Sequence, residues 1–261
     1  MVLRKEKNRE KVNLKKGIFI LPNLFTSANL FAGCFSIFSS IDGKFELAVI
    51  SIIVAVFLDG LDGKVARAAN AVSDFGKDYD SLCDLISFGV APSILFYSWA
   101  TNNFIDVINI RFLWLLSFFY IATTALRLAR FNNYLALKSE NYFIGLPSPA
   151  SATLVTVMLW QCVIHSFDNL IALIVIALFF IIASILMVSK IQYNSFKDLR
   201  TLNRMPFNGT LLIPLIFILI IIDAPNVLSV LSIVYLVSGL IAALIGMFKD
   251  PLNNKESNAS D

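Results

Sequence analysis

Residues 58–84 read LDGLDGKVARAANAVSDFGKDYDSLCD and carry Asp59, Asp62, Asp80 and Asp84 between two strongly apolar runs. Carboxylates beside a bilayer need a partner, an ion or water to offset their charge, so these four, set close to the apolar runs, are functional candidates by default. The flanks decide what kind of chain this is. Of 261 residues, 57% are hydrophobic and 15% charged, an apolar share above that of a soluble domain. The composition describes a polytopic membrane protein.

A helix needs about 20 apolar residues to cross the hydrocarbon core. Eight segments qualify on that reading: Gly17 to Ile41, Phe45 to Asp62, Leu82 to Thr101, Phe112 to Leu128, Leu146 to Ser166, Leu170 to Ser189, Met205 to Ile222 and Val227 to Phe248. Backbone groups in lipid must be satisfied within the segment, and no strand alternation suggests a barrel. The expected fold is therefore an all-α integral membrane bundle of about eight transmembrane helices. Residues 1–16 are expected to form a basic arm, 17–248 the transmembrane domain, and 249–261 a polar tail expected to be disordered.

Lys and Arg in short loops favour the cytoplasmic side. Assigning alternate loops to opposite faces places only Lys44 and Arg111 outside, of 21 basic residues in all. The basic arm (Arg4 to Lys16), Lys64, Arg67, Lys77, Arg127, Arg130, Lys138 and the later loop from Lys190 to Arg204 all fall on the other face. Both termini and the aspartate segment are thus expected at the cytoplasmic face. The net charge of +3 is modest, and its local excess suits anionic lipid headgroups rather than nucleic acid.

The remaining reactive residue types carry little. LFAGC, ending at Cys34, superficially resembles a lipoprotein cleavage site, but Pro22, Asn23, Thr26 and Asn29 interrupt the apolar run, which continues past Cys34. Cys34, Cys83 and Cys162 form no CxxC or Cys/His cluster and read as small buried hydrophobes. The single histidine, His165, falls at the outer end of the fifth span and reads as a solvated loop residue.

Chemistry rests on the aspartates. Asp59 and Asp62 are spaced i, i+3, and Asp80 and Asp84 i, i+4, so each pair projects from one face of its helix. Two like charges about 5 Å apart repel by roughly 3 kcal/mol at an effective dielectric near 20. Divalent cations remove that penalty, and all-oxygen ligation selects magnesium or manganese over zinc. Two such ions about 4 Å apart suit phosphoryl transfer. Gly60, Gly63, Ala66 and Gly76 leave room beside the acids, and Arg67 is one turn beyond Gly63, where it could grip phosphate. The plainer alternative is a solvated connecting loop with Lys64, Arg67 and Lys77 as surface partners.

The pattern DxxDGxxAR, eight residues, then GxxxDxxxD is met without departure by Asp59, Asp62, Gly63, Ala66, Arg67, Gly76, Asp80 and Asp84. It resembles the signature of the CDP-alcohol phosphatidyltransferases, membrane enzymes that move a phosphatidyl group from a CDP-linked lipid to an alcohol and release CMP. The resemblance implies that Asp59, Asp62, Asp80 and Asp84 bind two divalent cations, Mg2+ or Mn2+, with Asp84 also the general base. It further implies that Gly63, Arg67, Ser73 and Gly76 line the nucleotide and diphosphate pocket, with Asn23 and Thr26 against the donor's cytidine phosphate end. Interhelical hydrogen bonding is the competing account of Asn23, Thr26 and Asn29.

DSLCDLISFGVAPS, RLARFNNY, YFIGLPSPA and the eight-span length resemble the bacterial and archaeal branch of the family whose acceptor is serine. The expected substrates are CDP-diacylglycerol and L-serine, and a homodimer is expected by the same resemblance. Arg130 is the candidate for the serine carboxylate, a cation being what that group requires, while a positive-inside anchor is its plainer role. GLPSP, with Gly145, Pro147 and Pro149, reads as a rigid turn into the fifth span. Glycerol 3-phosphate or inositol phosphate is the alternative acceptor; relatives using the former often carry lysine directly after the last aspartate, where this chain has Leu85. A cation channel or transporter is the alternative of another class, but transport sites belong near the bilayer midplane.

Overall fold

Long apolar runs can satisfy their backbone in lipid only by coiling, and this chain coils wherever the sequence supplies such a run. The computed structural model describes residues 20–68, 73–104, 106–135, 142–189, 191–194 and 212–256. In order these form α1 (Ile20–Ile41), α2 (Phe45–Ala68), α3 (Asp74–Asp84), a π-helical turn (Leu85–Val90), α4 (Ala91–Phe104) and α5 (Ile110–Leu135). There follow β1 (Tyr142–Ile144), α6 (Ser148–Ile164), α7 (Leu170–Val188), β2 (Gln192–Asn194), α8 (Leu212–Ile222) and α9 (Ala224–Glu256).

Each of the eight expected spans meets a helix. Among the described residues, Asn23–Ile41, Asp74–Phe104, Ile110–Asn132, Leu170–Val188 and Ala224–Ile241 are long and apolar enough to cross a membrane, and Ser148–Ile164 is a shorter apolar helix. The protein is an integral membrane protein. α2 carries Asp59, Asp62, Lys64 and Arg67 in its second half, and α8 covers only the described end of the span expected from Met205. The basic arm lies outside the described residues.

Several boundaries move. The third helix starts at Asp74 rather than near Leu82, because the Ser73 side chain accepts the Gly76 N–H at 3.0 Å and caps it. Both aspartate pairs are therefore helical. α5 continues past Leu128 to Leu135, and α9 takes in Pro251 to Glu256, residues whose polarity reads as a disordered tail. Among the described residues, the one departure from an all-helical architecture is a two-stranded antiparallel ribbon pairing Tyr142 with Asn194 and Ile144 with Gln192.

The backbone divides into two units, one ending at Leu128 and one beginning at Ala129. In the first, α1 and α2 form a hairpin closed by Gly43, at φ +74. Its N–H donates to the Ser40 carbonyl at 3.2 Å and that of Lys44 to Ser39 at 2.8 Å, the paired bonds of a Schellman stop. Polar side chains share the interior with apolar ones: Asn29, Ser36, Ser87, Ser93 and Thr124 are buried along with Phe88, Trp99 and Tyr120, whereas Phe31, Phe38, Phe57 and Trp114 are exposed. Apolar side chains facing outward cost nothing in lipid, and polar ones tie helices together inside. Ser93 Oγ and Ser117 Oγ, for example, each donate to the other's carbonyl across α4 and α5, at 3.2 and 3.4 Å.

In the second unit α6 enters through Pro147 and Pro149, which suit a helix start because its first N–H groups have no partner to lose. Gly145 adopts φ +81 and donates to the Ile191 carbonyl at 2.7 Å. A carbon added there would collide with the Met187 carbonyl and lie 3.2 Å from the Ser189 oxygen. Gly145→Ala is therefore expected to cost more than the roughly 1–3 kcal/mol of left-handed backbone strain alone. Gly43→Ala, also left-handed but with open space around it, is the control: thermal unfolding in detergent should drop further for Gly145→Ala, and equal drops would refute the steric argument. Arg130 Nη1 donates to the Val188 carbonyl at 3.1 Å and to that of Ser189 at 3.5 Å. It thereby places a cation at the negative end of α7.

Candidate active site

The site is assembled within the first unit, from the first half of α1, the end of α2 and all of α3. Asp62 is buried, and its Oδ2 accepts a hydrogen bond from Thr26 Oγ1 at 3.0 Å. Asp84 is buried as well, and its Oδ1 accepts from Asn29 Nδ2 at 3.2 Å. Thr26 and Asn29 are three residues apart on α1, so one helix face reaches the carboxylates of two different helices.

Asp59, Asp62 and Asp80 each place a carboxylate oxygen within 4.8 Å of the others. Asp62 and Asp80 touch side chain to side chain. Asp80 Oδ1 is shut away from solvent with no hydrogen-bond partner. The ion pairs Lys44–Asp42 and Lys77–Asp74 lie outside this cluster. Three clustered carboxylates with an unsatisfied buried oxygen form an all-oxygen donor set, and they fit a hard divalent cation. Asp84 is within electrostatic reach of all three and of Arg127.

The residues expected at a nucleotide pocket fall in two groups. A carbon added at Gly76 would lie 3.0 Å from Ser73 Oγ and 3.9 Å from Asn23 Oδ1, so Asn23, Ser73 and Gly76 meet at the start of α3. Ser73 spends its oxygen on the helix cap. The Arg67 guanidinium folds back over Gly63, 3.8 Å from where a side chain there would begin. Arg130 belongs to the second unit, and the contacts given above are its own.

Two residues matter more than their sequence context suggests. Arg127 reads as a positive-inside anchor, yet it is buried beside Asp84. A signal existed in its setting, ATTALRLARF, where an arginine enters a helix before the apolar run has ended. Tyr79 is the other: its hydroxyl meets Ser27 Oγ at 2.9 Å, and its ring stacks on Phe75 with centroids 6.1 Å apart, tying α3 to α1 at the rim of the site.

Fold and site together define an integral membrane protein with an acidic, cation-competent centre at the ends of its helices. The chain belongs to the CDP-alcohol phosphatidyltransferase family, whose model matches residues 19–192 and so takes in the whole site. Over 243 residues it is 36% identical to the CDP-diacylglycerol–serine O-phosphatidyltransferase of Helicobacter pylori, covering 92% of this chain and 98% of that one. It is 41% identical over 175 residues to the archaetidylserine synthase of Methanothermobacter thermautotrophicus, with 66% of this chain and 69% of the relative covered. With the CDP-diacylglycerol–serine O-phosphatidyltransferase of Bacillus subtilis it shares 39% identity over 131 residues, 49% of this chain and 69% of the relative.

Proposed function

We propose that this protein transfers the phosphatidyl group of CDP-diacylglycerol to the hydroxyl of L-serine, giving phosphatidylserine and CMP. The observation that carries the reading is the end-to-end match to a serine-using relative, joined to a carboxylate cluster of the kind the family's chemistry needs.

Asp59, Asp62 and Asp80, with Asp84 beside them, would hold two divalent cations, Mg2+ or Mn2+. Bound there, such ions supply stabilisation of the negative charge on the diphosphate and the departing CMP. The chain's own residues do the rest. Asp84 takes the proton of the serine hydroxyl as that oxygen forms its bond to the lipid-side phosphorus. The bond from that phosphorus to the bridging oxygen breaks, and its electron pair leaves with CMP. Asn23, Thr26, Gly63, Arg67, Ser73 and Gly76 line the donor pocket, glycines giving the diphosphate close approach and Arg67 its charge. Arg130 remains the candidate for the serine carboxylate because that group requires a cation. No covalent intermediate is required, so positioning and electrostatics carry the rate.

The basic loops support a cytoplasmic placement of the site and both termini, in a bacterial cytoplasmic membrane. Residues 1–16 serve as a basic arm, 17–248 as the catalytic region and 249–261 as a polar tail, and the family resemblance supports a homodimer. The test is CMP release by purified protein given CDP-diacylglycerol, a divalent cation and serine, glycerol 3-phosphate or inositol phosphate. Serine alone should stimulate release; stimulation by glycerol 3-phosphate alone overturns the acceptor assignment.

A further inference from the structure

Asn29 is fully buried in α1, in a setting where a polar side chain is costly unless both ends of its amide are used. Only one end is used. Its Nδ2 donates to Asp84 Oδ1 at 3.2 Å, while its own Oδ1 is closed off with no partner. The reverse orientation would set the amide oxygen against a carboxylate oxygen. The fold therefore carries an unsatisfied acceptor, which lowers stability, and in return keeps a donor on Asp84.

The neighbouring backbone is built around that contact. Asp84 ends α3, and the π-helical turn that follows, a distortion that clusters at functional sites, brings Ser87 onto α1. Ser87 Oγ donates to the carbonyl of Asn29 itself at 3.1 Å. One turn further along α1, Gly33 lets the turn approach so closely that an added carbon would lie 2.8 Å from the Ser87 Cα. α1 and the turn are thus locked at Asn29 and Gly33, and the amide that results reaches Asp84.

We infer that Asn29 is a positioning residue for the transfer reaction: it holds one oxygen of Asp84, with Ser87 and Gly33 fixing its own place, so that the other oxygen is presented to the acceptor hydroxyl. This rests on the proposed role of Asp84 as base. Asn29→Leu keeps approximate size, removes the donor and removes the orphaned acceptor. It should lower kcat about 100-fold, the scale on which a catalytic group is misplaced. KM for CDP-diacylglycerol and for serine should stay within about threefold, since binding groups are untouched. Its melting temperature in detergent should stay close to that of the parent protein, because the orphaned amide oxygen is removed while Asp84 Oδ1 loses its donor.

A merely structural asparagine behaves differently. Unchanged kcat in Asn29→Leu overturns the inference, and so does a fall in kcat accompanied by a lower melting temperature and raised KM. Should the leucine variant not fold, Asn29→Asp keeps the shape but turns an acceptor toward Asp84, and parent-level kcat there overturns the inference equally. Asp84→Asn is measured alongside. Near-normal turnover in that variant removes the base reading itself, whereas normal turnover in the Asn29 variants alone removes only the positioning role.

Discussion

Asp84→Asn is expected to lower turnover by about 1000-fold or more while leaving CDP-diacylglycerol binding measurable. The substitution is nearly isosteric, and the oxygen of the new amide can still accept the Asn29 hydrogen bond seen at 3.2 Å. The geometry of α1, α3 and the π-helical turn therefore survives. What the amide cannot do is accept a proton from the acceptor hydroxyl, and loss of a positioned general base typically costs between about 100-fold and 10,000-fold. It also removes one negative charge beside Asp59, Asp62 and Asp80, which weakens cation binding without deleting the cluster. On this account kcat falls while donor affinity changes little. CMP release under saturating substrate, paired with calorimetric titration of CDP-diacylglycerol, measures both quantities. Turnover within tenfold of the parent would take Asp84 out of the proton transfer.

How much of this could be read from residues alone follows from the range of the forces involved. Helix existence was legible because it depends on local hydropathy. So were the paired aspartates, because i, i+3 and i, i+4 spacing defines a helix face without any knowledge of neighbours. The start of α3 at Asp74 was less so: Ser73 is a good cap, but Asp74, Lys77 and Asp78 look like a solvated connection until the Gly76 N–H is seen bound to it. The ribbon joining Tyr142–Ile144 to Gln192–Asn194 was invisible, since its partners are far apart in sequence and each strand is only 3 residues long.

Within the site the same division holds. That Thr26 and Asn29 need partners is readable from polarity in an apolar helix, but not that the partners are Asp62 and Asp84. Gly33 looks like any small residue in a membrane helix until Ser87 is placed against it. Arg127 and Arg130 look alike in sequence, as two arginines three residues apart. The structure separates them: one is buried near Asp84, and the other donates to the carbonyls ending α7. Long-range contacts decide roles that composition and spacing leave equal.

The cluster of Asp59, Asp62 and Asp80 gives the second large expectation, because stability and activity should move in opposite directions. Carboxylates about 5 Å apart repel by roughly 3 kcal/mol per ionised pair at an effective dielectric near 20. Asp80 belongs to the cluster and also carries the buried oxygen without a hydrogen-bond partner. In protein stripped of cations by a chelator, Asp80→Asn removes charge from the most crowded point and should raise the melting temperature. Adding Mn2+ reverses the order. The parent protein gains stability by mass action as its ligands fill, about 2.7 kcal/mol at a free concentration 100 times the Kd. The variant, lacking one of three adjacent ligands, should show little or no shift, and its CMP release should fall to background. Thermal unfolding with chelator and across a Mn2+ titration reads both effects without relying on turnover. A parent-sized Mn2+ shift in Asp80→Asn would show that the ion is held elsewhere, and a melting temperature lowered in chelator would show that Asp80 holds the fold together rather than straining it in readiness for a cation.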